Sequence, residues 1–202
     1  MLNKRDFLKQ TAVATTALSA AGLIRPALAI PASVSVESVP IKAPIAAVVY
    51  DSHLSDARTF AAEFGQRGAV LLPTDEDAAQ LWDGTIRILL ESQPKARIAG
   101  LTSHADFAVM QTLGAERSLT TLYEGWHDCR GARTLTHMVH AGPRAHDFGW
   151  MLRDAGADWP PALAHAILTA PLTGRGRHQE RIVTRTPRAA DNPGALVSWV
   201  LG

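Results

Sequence analysis

Hydrophobic residues along the chain occur either in short continuous runs or at helical spacing. The first pattern predicts strands and the second predicts helices. Three short apolar runs, Ile45–Tyr50, Ala69–Leu72 and Ile98–Leu101, are typical of buried strands. A segment with apolar residues at helical spacing follows each run, and these three helices are expected at Ser55–Gly65, Thr74–Leu89 with a break near Asp83-Gly84, and Ser103–Gly114. The pattern predicts three βαβ-type units with a parallel sheet.

The pattern changes after Leu119. Two strand-like runs, residues 119–128 and 133–141, flank Cys129–Ala132 and predict an antiparallel hairpin with Arg130-Gly131 at its tip. The remaining pattern predicts helices at Ala145–Ala155 and Trp159–Ala170 and strands at Arg181–Thr186 and Ala195–Leu201. The expected fold class is therefore α/β, with one mixed-sheet domain over residues 45–202.

The first 29 residues have the three parts of an export signal: a basic start, a mildly apolar middle and a small-residue end at Ala27-Leu28-Ala29. The run Asn3-Lys4-Arg5-Asp6-Phe7-Leu8-Lys9 resembles a twin-arginine (Tat) signal, with Lys4 in place of the first arginine. The resemblance implies export of a folded bacterial protein, with cleavage after Ala29 and a periplasmic location. The general secretory route remains an alternative, and the apolar middle is too short to span a bilayer.

Composition limits the partners. Apolar residues make up 47% of the chain, charged residues 19%, and a single Cys129 excludes an internal disulfide. The formal charge is +1, and removal of the basic leader leaves about −2, so nucleic acid is not an expected partner. Residues 30–44 carry three prolines and predict an extended arm. No glycine-rich phosphate loop follows a strand, so no nucleotide is indicated, and the cofactor is unknown.

Two similar turns follow the first and third predicted strands. Asp51-Ser52-His53 and Thr102-Ser103-His104 each lie between a buried strand and an amphipathic helix. Ligands of open α/β sheets bind at the carboxyl ends of strands, where helix N-termini favour anions. These six residues are therefore the candidate site for a small polar or anionic ligand. The alternative is that the serines cap helices and the histidines lie on the surface.

The hairpin region carries most of the candidate metal ligands. With a two-residue tip, Glu124 would face His137, and this pair is the candidate metal site. His127 and His140 would then lie on the other sheet face, about 20 Å apart, and could not bind one ion. Cross-strand ion pairs are the alternative interpretation. Cys129 beside His127 could form a nucleophile and base, but no helix N-terminus is expected near that thiol.

A basic stretch, 175–188, precedes the last strand. Its charges are Arg175, Arg177, Arg181, Arg185 and Arg188 against Glu180. Such a stretch could bind an acidic protein partner, although it is more often a solvated surface.

Three classes of function therefore remain open. The first is an exported binding or accessory module for a small polar or anionic ligand. The second is a histidine- or metal-dependent hydrolase, with Asp51 or the Glu124–His137 pair. The third is a partner-binding protein that uses the arm and the basic stretch.

Overall fold

A computed structural model describes residues 44–75, 77–130, 134–172, 174, 178–185 and 194–202. In this part of the chain, seven strands form one mixed sheet in the order β2-β1-β3-β7-β4-β5-β6. They are β1 (Ile45–Tyr50), β2 (Val70–Pro73), β3 (Arg97–Thr102), β4 (Thr121–Asp128), β5 (Leu135–His140), β6 (Gln179–Thr184) and β7 (Ala195–Leu201). This mixed sheet with its helices confirms the predicted α/β class. The leader 1–29, the rest of the arm up to residue 43, Gly131, Arg175, Arg177 and Arg188 lie outside the described residues.

Within the described ranges, six α-helices connect the strands. They are α1 (Ser55–Gly65), α2 (Ala78–Leu81), α3 (Arg87–Ser92), α4 (His104–Glu116), α5 (Ala145–Ala155) and α6 (Trp159–Thr169). A π-helical segment, Trp82–Ile86, joins α2 to α3 where the break was expected. Among the described residues, no helix is long and apolar enough to cross a bilayer.

The first half of the sheet has the predicted parallel arrangement. Strand β1 lies between β2 and β3 and pairs in parallel with both. Parallel neighbours require a crossover, and α1 and the α2–α3 segment supply the two crossovers. The three carboxyl ends therefore lie along one edge of the sheet.

Strand β7 joins the two halves of the sheet. It pairs antiparallel with β3 on one side and with β4 on the other. The sequence predicted this strand but not its central position. Trp199 lies across Gly100, since a Cβ atom on that glycine would be 2.2 Å from the indole ring. The indole Nε1 donates a hydrogen bond to Thr102 Oγ1 at 3.1 Å.

The two faces of the sheet have separate cores. The first face packs against α1, α5 and α6, and its core includes Phe60, Tyr123 and Trp159. The second face packs against α2, α3 and α4, and its core includes Trp82 and Trp199. Because α4 packs on β3 and β7, the second face of β5 and β6 is left partly open, and Val183 is 57% exposed there.

The predicted hairpin register is wrong by three residues. His137 pairs with His127, and Glu124 pairs with His140. The tip is longer than the predicted two residues, because β4 ends at Asp128 and β5 begins at Leu135. After Asp128 the backbone continues beside the chain that leads into β7, and Cys129 N donates to Gly194 O at 2.6 Å. A shift by an odd number of residues moves side chains to the opposite face of the sheet. Glu124 and His137, which were predicted to share a face, therefore lie on opposite faces.

The contact between Trp199 and Gly100 can be tested with Gly100→Ala. The added methyl group must displace a buried indole ring, so the free energy of unfolding should fall by about 1–3 kcal/mol. Gly84→Ala is the matched control, because a Cβ atom there has no neighbour within 4 Å. Urea unfolding of both variants measures the difference, and equal stabilities would contradict the packing argument.

Candidate functional site

The two Ser-His turns lie at the same edge of the sheet, at the ends of adjacent strands β1 and β3. Asp51 N donates to Leu101 O at 3.3 Å, which links the two strand ends. The side chains of the two turns nevertheless make separate sets of contacts.

The first turn is directed toward the end of β2. The Ser52 hydroxyl donates to Asp75, and His53 Nε2 lies 3.9 Å from the same carboxylate. Asp51 accepts a hydrogen bond from His53 N at 3.0 Å, which stabilises the turn. Helix α1 begins only at Ser55, with no side-chain cap, so Ser52 does not cap it. The His53 side chain is 82% exposed.

The second turn uses most of its polar groups internally. Thr102 is fully buried and accepts from Trp199 Nε1. Ser103 caps α4 by accepting from Asp106 N at 3.1 Å, and its hydroxyl donates to the Asp106 carboxylate at 2.7 Å. That carboxylate lies in the first turn of α4, where it interacts favourably with the positive end of the helix dipole. Only His104 is exposed to solvent, at the start of the helix.

His104 lies at the margin of a groove on the open part of the second face. Its ring packs against Trp126 with 4.8 Å between centroids. The groove encloses about 420 Å³, a volume in the usual range for small-molecule sites. We call it the Trp126 groove, and its lining is His104, Trp126, His127, Asp128, Arg130, Thr136, Met138, Arg181 and Ala195. This lining includes His104 but no residue of the first turn.

Strand register arranges the groove residues in two parallel rows. Trp126 pairs with Met138, and Met138 pairs with Arg181, so one row crosses β4, β5 and β6. Asp128 and Thr136 belong to the next row on the same face. Adjacent strands lie about 4.8 Å apart, so the Cα atoms of Trp126 and Arg181 are separated by roughly 10 Å.

The charged side chains of the groove differ in how they are neutralised. Arg130 contacts Asp128 through Nε at 2.9 Å and through a terminal nitrogen at 2.6 Å. Hydrogen bonds from the Arg130 side chain and backbone lower the pKa of Asp128 to about 2. By contrast, the Arg181 side chain forms no hydrogen bond or salt bridge with any residue that the structure describes. Among the described residues of the groove, the charge of Arg181 is therefore not neutralised.

The predicted metal pair is not brought together. Glu124 accepts a hydrogen bond from Trp126 Nε1 at 2.7 Å, on the second face. His137 packs against Trp159 on the first face, with ring centroids 5.4 Å apart. Residues on opposite faces of a sheet cannot bind the same ion. Within the described part of the chain, no group of three or more His, Cys, Asp or Glu side chains could hold a metal.

The structure instead contains a buried polar network on the first face. His127 Nδ1 and His137 Nδ1 are 2.7 Å apart, and His127 Nε2 is 2.6 Å from Ser198 Oγ. The Ser198 hydroxyl also lies 3.2 Å from that of Tyr123. All four side chains are fully buried, and the Trp159 ring stacks on His127 at 4.3 Å. This network could not be predicted from the sequence, because it depends on the hairpin register.

One tautomeric arrangement satisfies every donor in the network. His137 Nδ1–H donates to His127 Nδ1, and His127 Nε2–H donates to Ser198 Oγ. The Ser198 hydroxyl then donates to Gly125 O, 3.3 Å away, and accepts from Tyr123. This leaves only the His137 Nε2 lone pair without a partner among the described residues. A buried acceptor without a partner is tolerated better than a buried N–H group, which favours this arrangement.

The network is stable only with neutral imidazoles. Burial lowers the pKa of His137 to about 4, and burial together with the neighbouring His137 lowers the pKa of His127 well below its ordinary value. Burial also raises the pKa of Tyr123. These groups therefore form a neutral, structural core network across β4, β5 and β7.

Comparison of the chain with family models, with curated proteins and with solved structures gives no significant match.

The histidine network makes stability dependent on pH. Both folded-state pKa values lie below the unfolded value of about 6.5, so the stabilisation is complete above that pH and is lost as the pH falls toward 4. Between about pH 6.5 and pH 4.5, His137 alone should account for a loss of about 2–3 kcal/mol in the free energy of unfolding. Urea unfolding at a series of pH values measures this slope of the free energy of unfolding against pH.

A pair of histidine variants identifies the source of the slope. His137→Gln should reduce it, whereas His165→Gln, at an exposed position on α6, should leave it unchanged. If His137→Gln keeps the full slope, this histidine does not titrate as described.

Proposed function

We propose that the protein is an exported binding or accessory module, and that the Trp126 groove binds a small polar or anionic ligand. The observation that carries the proposal is a cavity of about 420 Å³ with the unneutralised Arg181 at one end of an apolar and aromatic row. The groove lies beside the second Ser-His turn, near the carboxyl end of β3. Such an edge is where open α/β sheets commonly bind ligands.

Electrostatics favour an anion over a cation. Arg130 and Asp128 neutralise each other, and Arg181 adds a positive charge that forms no salt bridge with any carboxylate among the described residues. A guanidinium group presents paired N–H donors that match a carboxylate or a phosphate. A bound anion would therefore complete the charge balance of the groove.

The Trp126 groove is not the ligand site predicted from the sequence, which consisted of the two Ser-His turns. Ser52 and His53 interact with Asp75, and Ser103 with Asp106, so neither serine is available for a ligand in the groove. His104 is the residue that both interpretations share. The third class of function, binding of a protein partner through the arm and the basic stretch, stays a prediction because most of those residues lie outside the described ranges.

Export is supported by the leader sequence. Arg5, Phe7, Leu8 and Lys9 match the twin-arginine pattern, and Ala27-Leu28-Ala29 matches a cleavage site. We propose a periplasmic location on this basis.

Arg181→Gln should weaken anion binding. Loss of a charge-assisted hydrogen bond costs about 1.5–3 kcal/mol, which corresponds to roughly a 10- to 100-fold increase in Kd. Calorimetric titration with a series of small carboxylates and phosphate measures the effect. Arg67→Gln is the control, because that exposed arginine follows α1, outside the groove lining. Equal weakening by both variants would mean that only net charge matters.

The leader can be tested separately. In a bacterial host, mass spectrometry of the exported protein should find Ile30 as the first residue, and Arg5→Lys should greatly reduce periplasmic accumulation. Normal export of Arg5→Lys would indicate the general secretory route. Retention of the uncleaved chain in the cytoplasm would exclude export.

A further inference from the structure

We infer that the ligand of the Trp126 groove is a flat aromatic monocarboxylate, with its ring against Trp126 and its carboxylate on Arg181. This inference rests on the proposed function and specifies the chemical class of the ligand. Three features of the groove carry it: its aromatic end, its length and its charge.

The aromatic end is fixed before any ligand binds. Trp126 is half-buried, and its Nε1 donates to the buried Glu124, which holds the indole in one orientation. The His104 ring packs against the same indole at a 37° tilt. Met138 is the cross-strand neighbour of Trp126, and thioethers make favourable contacts with aromatic rings. All three side chains line the cavity, so a planar ring meets two aromatic rings and a sulfur atom.

The length of the groove places the Arg181 charge at the end opposite Trp126. Trp126, Met138 and Arg181 occupy one row across three strands, about 10 Å from first to last Cα atom. A ligand that lies along this row has its ring over β4 and β5 and its anionic group at β6. A bicyclic aromatic acid has about the length that this arrangement requires.

The charge pattern favours a single negative charge. The carboxylate of Asp128 stays ionised, and it lies in the row beside Trp126 and Met138. Its partner Arg130 is already engaged through three hydrogen bonds. Arg181 can therefore form a bidentate pair with one carboxylate, whereas a second charge on the ligand would approach Asp128 without a free cation.

Two acids of equal charge and similar length test the inference. The probes are 2-naphthoate and its saturated counterpart, decahydronaphthalene-2-carboxylate, titrated calorimetrically into the mature protein. Aromatic pairing adds about 0.5–1.5 kcal/mol beyond burial, so 2-naphthoate should bind roughly 2- to 10-fold more tightly. Naphthalene-2,6-dicarboxylate should bind more weakly than 2-naphthoate.

Variants of Trp126 and His104 test whether these two residues cause the preference for the aromatic acid. Trp126→Leu and His104→Gln should each reduce the ratio of the two Kd values toward one, whereas Arg181→Gln should weaken both acids by the same factor. His104 is exposed, so its variant remains informative if Trp126→Leu fails to fold. Thermal unfolding without ligand verifies that each variant is folded.

The binding results distinguish a wrong ligand class from a wrong site. Equal Kd values for the aromatic and the saturated acid in the unmodified protein would overturn this inference and leave the proposed anion site intact. Tight binding of the dicarboxylate would also overturn it. Absence of binding by all three acids, and by phosphate and acetate, would overturn the inference and the proposed function together.

Discussion

The pairing of β7 with β3 and β4 is the interaction on which the rest of the structure depends. It joins a parallel half and an antiparallel half into one sheet, and both faces of β7 take part. On the second face Trp199 lies against Gly100, and on the first face Ser198 belongs to the network of His127 and His137. A shift of β7 by one residue would exchange these two faces, so the indole contact and the hydrogen bonds fix the register together.

The position of the groove follows from the same arrangement. Helices of the second face pack over the parallel strands and β7, and the antiparallel strands extend beyond them. Polar and aromatic side chains on this uncovered part of the sheet lie in rows set by strand pairing rather than by loops. A site built on paired strands is rigid, so binding there requires little ordering of the protein.

The elements could be predicted from the sequence, but their relative placement could not. Bounds of β1, α1, α5 and β7 agree with the predicted ranges because apolar periodicity is a local property. The hairpin register depended on an assumed two-residue tip, and the longer connection after Asp128 exchanged the predicted partners of Glu124 and His137. The groove brings together residues from β4, β5, β6 and α4, so no single stretch of sequence indicates it.

The central position of β7 has a consequence for the synthesis of the chain. Ala195–Leu201 leaves the ribosome after the other six described strands, and its partners in β3 are about a hundred residues earlier. Until it arrives, β3 and β4 each present an unpaired backbone edge, which is the kind of surface that recruits chaperones or aggregates. Contacts of such high sequence separation also slow folding. The central part of the sheet therefore cannot close until Ala195–Leu201 has been synthesised.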